Sequence, residues 1–432
     1  MHWTDHYQNA LCTPDEALAD LSSGESVYLH AGAATPQVFV DAFTRRVKHL
    51  EDVTICHILS LGEASYTEPE MAGHCRLNSL FTGTNVRDAV NEGRADWMPI
   101  FLSEISGLFL KRHIPVDLAL IHISPPDEHG FCSFGVSTDA TIAACKMAGR
   151  IVALVNRQMP RVHGDNFIHV SKLKHIVETD TPLFQTPGVE LSEMHLDIGR
   201  NVASLIEDGA TLQMGIGAIP DATLHYLKEK RDLGIHTEMF SDGVVNLVEM
   251  GVVTGERKTL HPGKVVASIV MGSQHVYDFI HENPFMEFHP SDYVNNPFII
   301  AQNAKMVAIN SAIEVDLTGQ VCSDSMGRRN FSGIGGQVDF IRGSARSEGG
   351  RPIIALPSTA KKGTQSRIVR NLKPGAAVTT SRGDVHYIVT EHGVAYLHGK
   401  NLRQRAMALI EIAHPDFRED LTREAREAGL LS

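Results

Sequence analysis

Short apolar runs rich in valine and isoleucine alternate with longer amphipathic stretches along the whole chain. The runs are SVYL at Ser26–Leu29, VTICHI at Val53–Ile58, VDLALIHI at Val116–Ile123, IVALV at Ile151–Val155, VVASIV at Val265–Val270, IIAL at Ile353–Leu356 and HYIV at His386–Val389. Unbroken apolarity of this kind marks strands covered on both faces, and the stretches between them are the crossover helices that parallel strands require. An α/β protein with mainly parallel sheets is predicted.

The rhythm breaks once, at Val177–Leu191, where VETDTPLFQTPGVEL brings prolines and polar residues, and a helical pattern, MHLDIGRNVASLIEDGATL, follows at once. A chain of 432 residues also exceeds the size of one hydrophobic core, which stops growing at roughly 250–300 residues. Two α/β domains are expected, 1–185 and 186–432. The end of the chain, Pro415–Leu431, reads as a charged, solvated helix.

Charge and cysteine usage narrow the partners. With 39 Lys and Arg against 51 Asp and Glu, the net charge of -12 repels nucleic acid and anionic lipid. An anionic ligand therefore needs local basic groups or helix N-termini. The six cysteines include no CxxC pair, so neither a zinc ribbon nor a disulfide framework is suggested. Cys56–His57 and His74–Cys75 are adjacent pairs that point to opposite faces of a strand, and no metal is expected. The start, MHWTDHYQNA, lacks the basic and apolar regions of a signal peptide, and no run reaches the roughly 20 apolar residues of a membrane span. A cytoplasmic protein without membrane or nucleic-acid partners is expected.

Three stretches of the second half can carry chemistry. Thr211–Pro220, TLQMGIGAIP, runs from an apolar strand through Gly215 and Gly217 into a helix, whose free N–H groups can meet a carbonyl oxygen or phosphate. A dinucleotide fingerprint would carry a third glycine where Pro220 stands, so a mere tight turn is an equal reading of these residues. His236–Val245, HTEMFSDGVV, sets Glu238 beside Met239 and Phe240. A solvated surface charge is the ordinary reading of such a residue, and a partly apolar cleft, where a carboxylate is poorly solvated and more nucleophilic, is the other. Gly333–Arg342, GIGGQVDFIR, offers unobstructed backbone donors, and Lys361, Lys362 and Arg367 follow in LPSTAKKGTQSR. In the first half, HAGAATP at His30–Pro36 and ISPPDEHGFCSFGVST at Ile123–Thr138 are loops after strands, where α/β proteins bind ligands.

Read together, SPPDEHGFCSFGVS, QMGIGAIPDA, HTEMFSDGVV, INSAIEVDLTGQV, SGIGGQVDF, LPSTAKKGTQSRIV and TEHGVAYL resemble, in that order, the acetyl-CoA hydrolase/transferase family, nearest its 4-hydroxybutyrate and butyrate CoA-transferase branch. The resemblance spans about residues 10 to 420. It implies two CoA-transferase-like domains with an interdomain cleft, acyl-CoA as co-substrate, small carboxylic acids as partners, and a homodimer or higher homo-oligomer. It implies Glu238 as the catalytic glutamate, the N–H groups of Ile216 and Gly336 as oxyanion donors, and Asn310 near the reacting carbonyl. Gly215, Ile216, Gly217, Ala218 and Ile219, with Gly335, Gly336 and Lys361, would hold the CoA, and His30 and Gln213 the substrate. Glu391, in TEHGVAYL, is a competing glutamate in an E-x-G context.

The implied chemistry is a covalent relay. Glu238 attacks the thioester, CoA leaves an acyl-glutamyl anhydride and returns to make a glutamyl-CoA thioester, and a second acid reverses the sequence. Little proton transfer is needed, which suits a chain with no recognisable Ser-His-Asp pattern. If water entered, the same glutamate would make an acyl-CoA hydrolase. A non-catalytic CoA-binding protein and, more remotely, a nicotinamide-dependent dehydrogenase are the alternatives.

Overall fold

The computed structural model describes residues 2–186 and 188–432. The chain folds as two compact units, Met1–Pro187 with Val266–Val294, and Gly188–Val265 with Asn295–Ser432. Each is α/β, as the apolar rhythm predicts.

The first unit is built on strands β1 (Ser26–Leu29), β2 (Val53–His57), β3 (Cys75–Ser79), β4 (Asp96–Trp97), β5 (Leu118–Ile123), β6 (Arg150–Asn156) and β7 (His175–Thr179). They lie in the order β4-β3-β2-β1-β5-β6-β7, every neighbour parallel. All six residues of β5 are buried. Leu118 and Leu120 enter one apolar cluster with Val27, Ile55 and Leu154, while Ala119, Ile121 and Ile123 enter another with Tyr28, Ala153 and Ile176. Period-two alternation thus feeds a separate core on each face, which is why the strand reads as unbroken apolar sequence. Each fully buried Leu or Ile contributes about 1.5–3 kcal/mol.

The run Val265–Val270 joins neither large sheet. From Val266 the chain belongs to the first unit, where Val270 donates its N–H to Val136 O at 2.8 Å, Thr138 donates to Ser268 O at 2.9 Å, and Ser137 bridges Ile269. Ser291 Oγ on Leu102 O and Asn166 within the same unit continue this packing of buried polar groups. Apolarity announces a buried strand without naming its neighbour, so this return of the chain is absent from the pattern.

The second unit has strands β8 (Thr211–Met214), β9 (Gly234–Ile235), β10 (Met306–Ser311), β11 (Arg351–Ala355), β12 (Tyr387–Thr390) and β13 (Gly393–Tyr396). Their order is β9-β8-β10-β11-β12-β13, parallel except for the hairpin edge β13. Helix α1 (Glu193–Ala203) is started by Ser192, whose hydroxyl accepts the His195 N–H. Helices α2 (Ala218–His225) and α3 (Gln337–Arg346) follow glycine loops. The terminal helix α4 (Pro415–Glu427) is as predicted and buries Leu421 and Ala425, one turn apart, against a cluster with Ile354, Ile388 and Leu409.

Strand order reverses between β8 and β10 in this unit and between β1 and β5 in the first. At such reversals the loops beyond the strands' carboxyl ends diverge and leave a crevice, the favoured ligand position of open parallel sheets. In the second unit the residues placed there are Gln213 near the end of β8, Gly215–Gly217 after it, and Asn310 near the end of β10.

Candidate active site

The polypeptide leaves β9 by one more ladder bond, His236 N–H to Leu212 O at 3.0 Å, and then turns at Thr237. Thr237 Oγ1 lies within hydrogen-bond reach of Met214 O at 2.9 Å and Met239 O at 3.0 Å and accepts the Met214 N–H at 3.2 Å. This buried hydroxyl locks the residue before Glu238 to the last residue of β8. Glu238 is therefore presented beside the Gly215–Gly217 loop by adjacent parallel strands.

Glu238 keeps part of its surface exposed, but its carboxylate is desolvated. Asn295 Nδ2 donates to Oε2 at 2.8 Å, and the Gly336 N–H donates to the same carboxylate. Desolvation pushes the pKa of Glu238 above its ordinary value, and the Asn295 and Gly336 bonds, by stabilising the charge, hold back part of that rise. Among the described residues no side chain hydrogen-bonds Oε1. One oxygen is thus anchored and the other is available to attack.

Gly336 is required by contact. A methyl group on its Cα would overlap Glu238 Oε2 and Asn295 Nδ2. It sits at the N-cap of α3, just after Gly335 at φ +59°. Across the loop, Gly217 at φ +118° opens α2, whose first-turn N–H groups have no intrahelical acceptor. Ile216, at the loop's tip, is 42% exposed, an apolar side chain open to solvent on the run Gly215, Ile216, Gly217, Ala218, Ile219.

Residues 1–185 match the acetyl-CoA hydrolase/transferase N-terminal domain and residues 272–425 its C-terminal domain. The chain belongs to the acetyl-CoA hydrolase/transferase family. It is 51% identical over 427 residues to the 4-hydroxybutyrate coenzyme A transferase of Clostridium kluyveri, covering 99% of this chain and 100% of that one. It is 52% identical over 416 residues to the succinyl-CoA:acetate/propanoyl-CoA:succinate CoA transferase of Fasciola hepatica, covering 95% and 86%. The crystal structure of 4-hydroxybutyrate CoA-transferase from Porphyromonas gingivalis superposes with a TM-score of 0.85 at 46% identity, covering 99% of this chain and 100% of that one.

Within this acetyl-CoA hydrolase/transferase chain, the other expected residues fall into two groups. Gln213 is nearly fully buried, and its Oε1 accepts the Asn310 Nδ2–H at 3.0 Å and the Ile309 N–H at 3.2 Å. It holds Asn310 across the strand reversal, so its carbonyl oxygen is taken by protein donors where the sequence suggested substrate contact. His30 is fully buried in the first unit. It accepts the His122 N–H on Nδ1 at 3.1 Å, which leaves Nε2 protonated to donate to Ser137 O at 2.6 Å. Burial pushes its pKa down, against the opposing charge of Asp139. Both ring nitrogens serve the loop, so His30 offers no free atom to a ligand.

Lys361 stands at the tip of a small hairpin, Thr359–Ala360 with Gln365–Ser366, exposed and at φ +48°, with Lys362 and Gly363 also at positive φ. Among the described residues no hydrogen bond or ion pair links Lys361 to the Glu238 group. Glu391 has both oxygens occupied: Oε1 accepts the Ser358 hydroxyl at 2.6 Å and Oε2 the Ser358 N–H at 2.9 Å. Asn295 and Thr237, which fix Glu238, were missed by sequence reading. Thr237 carries no signal, and Asn295 stands beside Asn296, whose side chain caps the following short helix.

Proposed function

We propose that the protein transfers coenzyme A between an acyl-CoA and a short-chain carboxylate of the 4-hydroxybutyrate, butyrate or acetate type, through a glutamyl-CoA thioester on Glu238. The observation that carries this reading is the Glu238 carboxylate itself, desolvated, anchored through Oε2 at the N-terminus of α3 and free at Oε1. Oε1 attacks the thioester carbonyl, and CoA thiolate departs as the anhydride forms. The thiolate then attacks the glutamyl carbonyl carbon and expels the first acid. An incoming carboxylate reverses both steps, and no step requires a metal. Gly215 to Ile219 and Gly335–Gly336 supply backbone donors for the developing oxyanions and for CoA, with Ile216 and Gly336 the N–H groups nearest in role to the reacting carbonyls and Asn310 steered by Gln213. Lys361, exposed in an acidic chain, suits a phosphate of the cofactor.

Borohydride added during turnover with acyl-CoA tests the covalent step. The expected product is an enzyme whose Glu238 carboxyl has become a primary alcohol, located by peptide mass. Retention of acyl-CoA binding with no reduced glutamate overturns the reading and leaves a CoA-binding protein. Thioester consumption without any added acid would instead establish the hydrolase. A donor and acceptor panel assigns the acids, with short monocarboxylates expected to be preferred over succinate. The proposal also takes the protein as a cytoplasmic homo-oligomer, in keeping with six unpaired cysteines, and sedimentation of the purified protein reads the oligomeric state.

A further inference from the structure

Ala312, Ser358 and Glu391 lie just beyond the carboxyl ends of β10, β11 and β12. Arg367, the residue after the hairpin that carries Lys361, is tied among them. Its N–H donates to Ser358 O at 2.8 Å, its carbonyl accepts the Val315 N–H at 2.8 Å, and its Nη1 donates to Ala312 O at 3.3 Å. The backbone is thus fixed from two sides, and the guanidinium lies at the end of the sheet where open parallel sheets bind ligands. Its other donors are unused. Nε is buried without a partner, and among the described residues Nη2 has none either. These two N–H bonds run parallel, spaced to meet two oxygens of one carboxylate or phosphate.

Three other arginines bury an unbonded Nε, but each has a further tie. Arg150 pairs with Glu25 and Arg370 with Glu427, and Arg46 turns Nη2 to Leu21 O at 2.7 Å. Arg367 has one carbonyl. Burial pushes its pKa down, and the attraction of Glu391 offsets only part of that, both Glu391 oxygens being held by Ser358. A cation so weakly satisfied destabilises the fold, and a bound anion removes that penalty. The side chain as a whole is half-buried, open enough for a ligand to approach. The inference rests on CoA transfer being the reaction, because that reaction supplies two kinds of anion, the phosphates of CoA and the carboxylates of the acids. We propose that Arg367 is a substrate-binding residue whose open Nε–Nη2 edge receives two oxygens of an anionic group, a CoA phosphate or an acid's carboxylate.

Calorimetric titration of wild type and Arg367→Gln with CoA and with butyrate reads both sources without turnover. An affinity loss of about 10- to 100-fold for one of them is expected, the effect of removing a charge-assisted, two-point contact. Weaker CoA with unchanged butyrate assigns the phosphate, and a butyryl thioester of pantetheine, which has no phosphate, should then show the same KM in both proteins. Weaker butyrate with unchanged CoA assigns the carboxylate. Unchanged affinity for both overturns the proposal, even with a lower Tm, because Arg367 would then serve only as a counter-charge to Glu391. Equal losses for both, the mark of a damaged fold, overturn it as well. Arg367→Lys keeps the charge without the parallel edge, so it is expected to recover Tm and not the affinity. Wild-type affinity in Arg367→Lys overturns the role of the edge. Initial rates of CoA transfer separate this proposal from the functional reading. A wild type that transfers no CoA, with the affinity loss intact, overturns that reading alone, whereas normal transfer with unchanged affinity removes only the role of Arg367.

Discussion

Glu238 and Glu391 are both glutamates just past the carboxyl end of a parallel strand in the same sheet, the first after β9 and the second after β12. Their sequence surroundings, HTEMFSDG and TEHGVAYL, both suggest a nucleophile, the first more strongly. Their hydrogen bonds are not equal. Glu391 spends both oxygens on one residue, Ser358, and its side chain is 11% exposed. It pins the strand-to-hairpin loop that leads to Lys361. Glu238 is anchored through Oε2 and keeps Oε1 unbound by any described side chain. A carboxylate held on both oxygens is a strut, and one held on a single oxygen can be a reagent.

The widest separation between the two should come from neutralising each. Glu238→Gln is expected to lose roughly 10⁴-fold or more in CoA transfer, at least about 5.5 kcal/mol of transition-state stabilisation. Glu391→Gln is expected to stay within about tenfold of wild type, because its role is to shape a loop. Initial rates with one acyl-CoA and a saturating acid read both, and a reversal of the ranking would make Glu391 the nucleophile.

A smaller effect should follow from crowding the anchored oxygen. Gly336→Ala places a methyl group onto Glu238 Oε2 and Asn295 Nδ2, so the carboxylate must shift from its donors. A fall in kcat of about 10²-fold, near 2.7 kcal/mol, is expected, together with a lower Tm. Normal kcat would show that the donors are not needed where they stand. On the strut side, Ser358→Ala removes the hydroxyl bond and leaves the backbone bond. It should reduce stability by about 1–3 kcal/mol with little change in kcat, read as a shift in thermal unfolding.

The fold was legible wherever a strand is covered on both faces, because burial then writes unbroken valine and isoleucine into the sequence, as at β5 and β6. What that pattern leaves out is partnership. Val265–Val270 is apolar enough to belong to a large sheet, and instead its second half, Ser268–Val270, runs along Val136–Thr138. The site divides in the same way. Glu238, Gly336 and the Gly215–Ile219 loop stand out by ordered phrases and by glycines. Asn295 and Thr237 act through contacts with residues distant in sequence or through a single hydroxyl, and nothing local marks them. His30 and Gln213 are polar residues at strand ends among apolar and small neighbours, which is how ligand residues look, yet their polar atoms are consumed by neighbouring backbone and, for Gln213, by Asn310.

The finest contrast between strut and reagent lies in stability against pH. Desolvation raises the Glu238 pKa above its ordinary value near 4.5, so the folded protein binds that proton more tightly than the unfolded chain. The stability this gives is complete below about 4.5 and is lost as pH rises through the folded value. At neutral pH the ionised Glu238 carboxylate is therefore a net burden on the fold. Glu238→Gln, uncharged throughout, should unfold at a higher temperature than wild type near neutrality, by on the order of a degree or two, and the difference should vanish in acid. The acid limb of activity should fall in the pH range where that difference grows, because one proton governs both. Glu391→Gln should show no such gain at neutral pH, since both oxygens of the wild-type carboxylate are bonded in the fold. A Glu238→Gln variant no more stable than wild type at neutral pH would mean that its hydrogen bonds fully offset the desolvation, and the difference between the two glutamates would then lie only in the free Oε1.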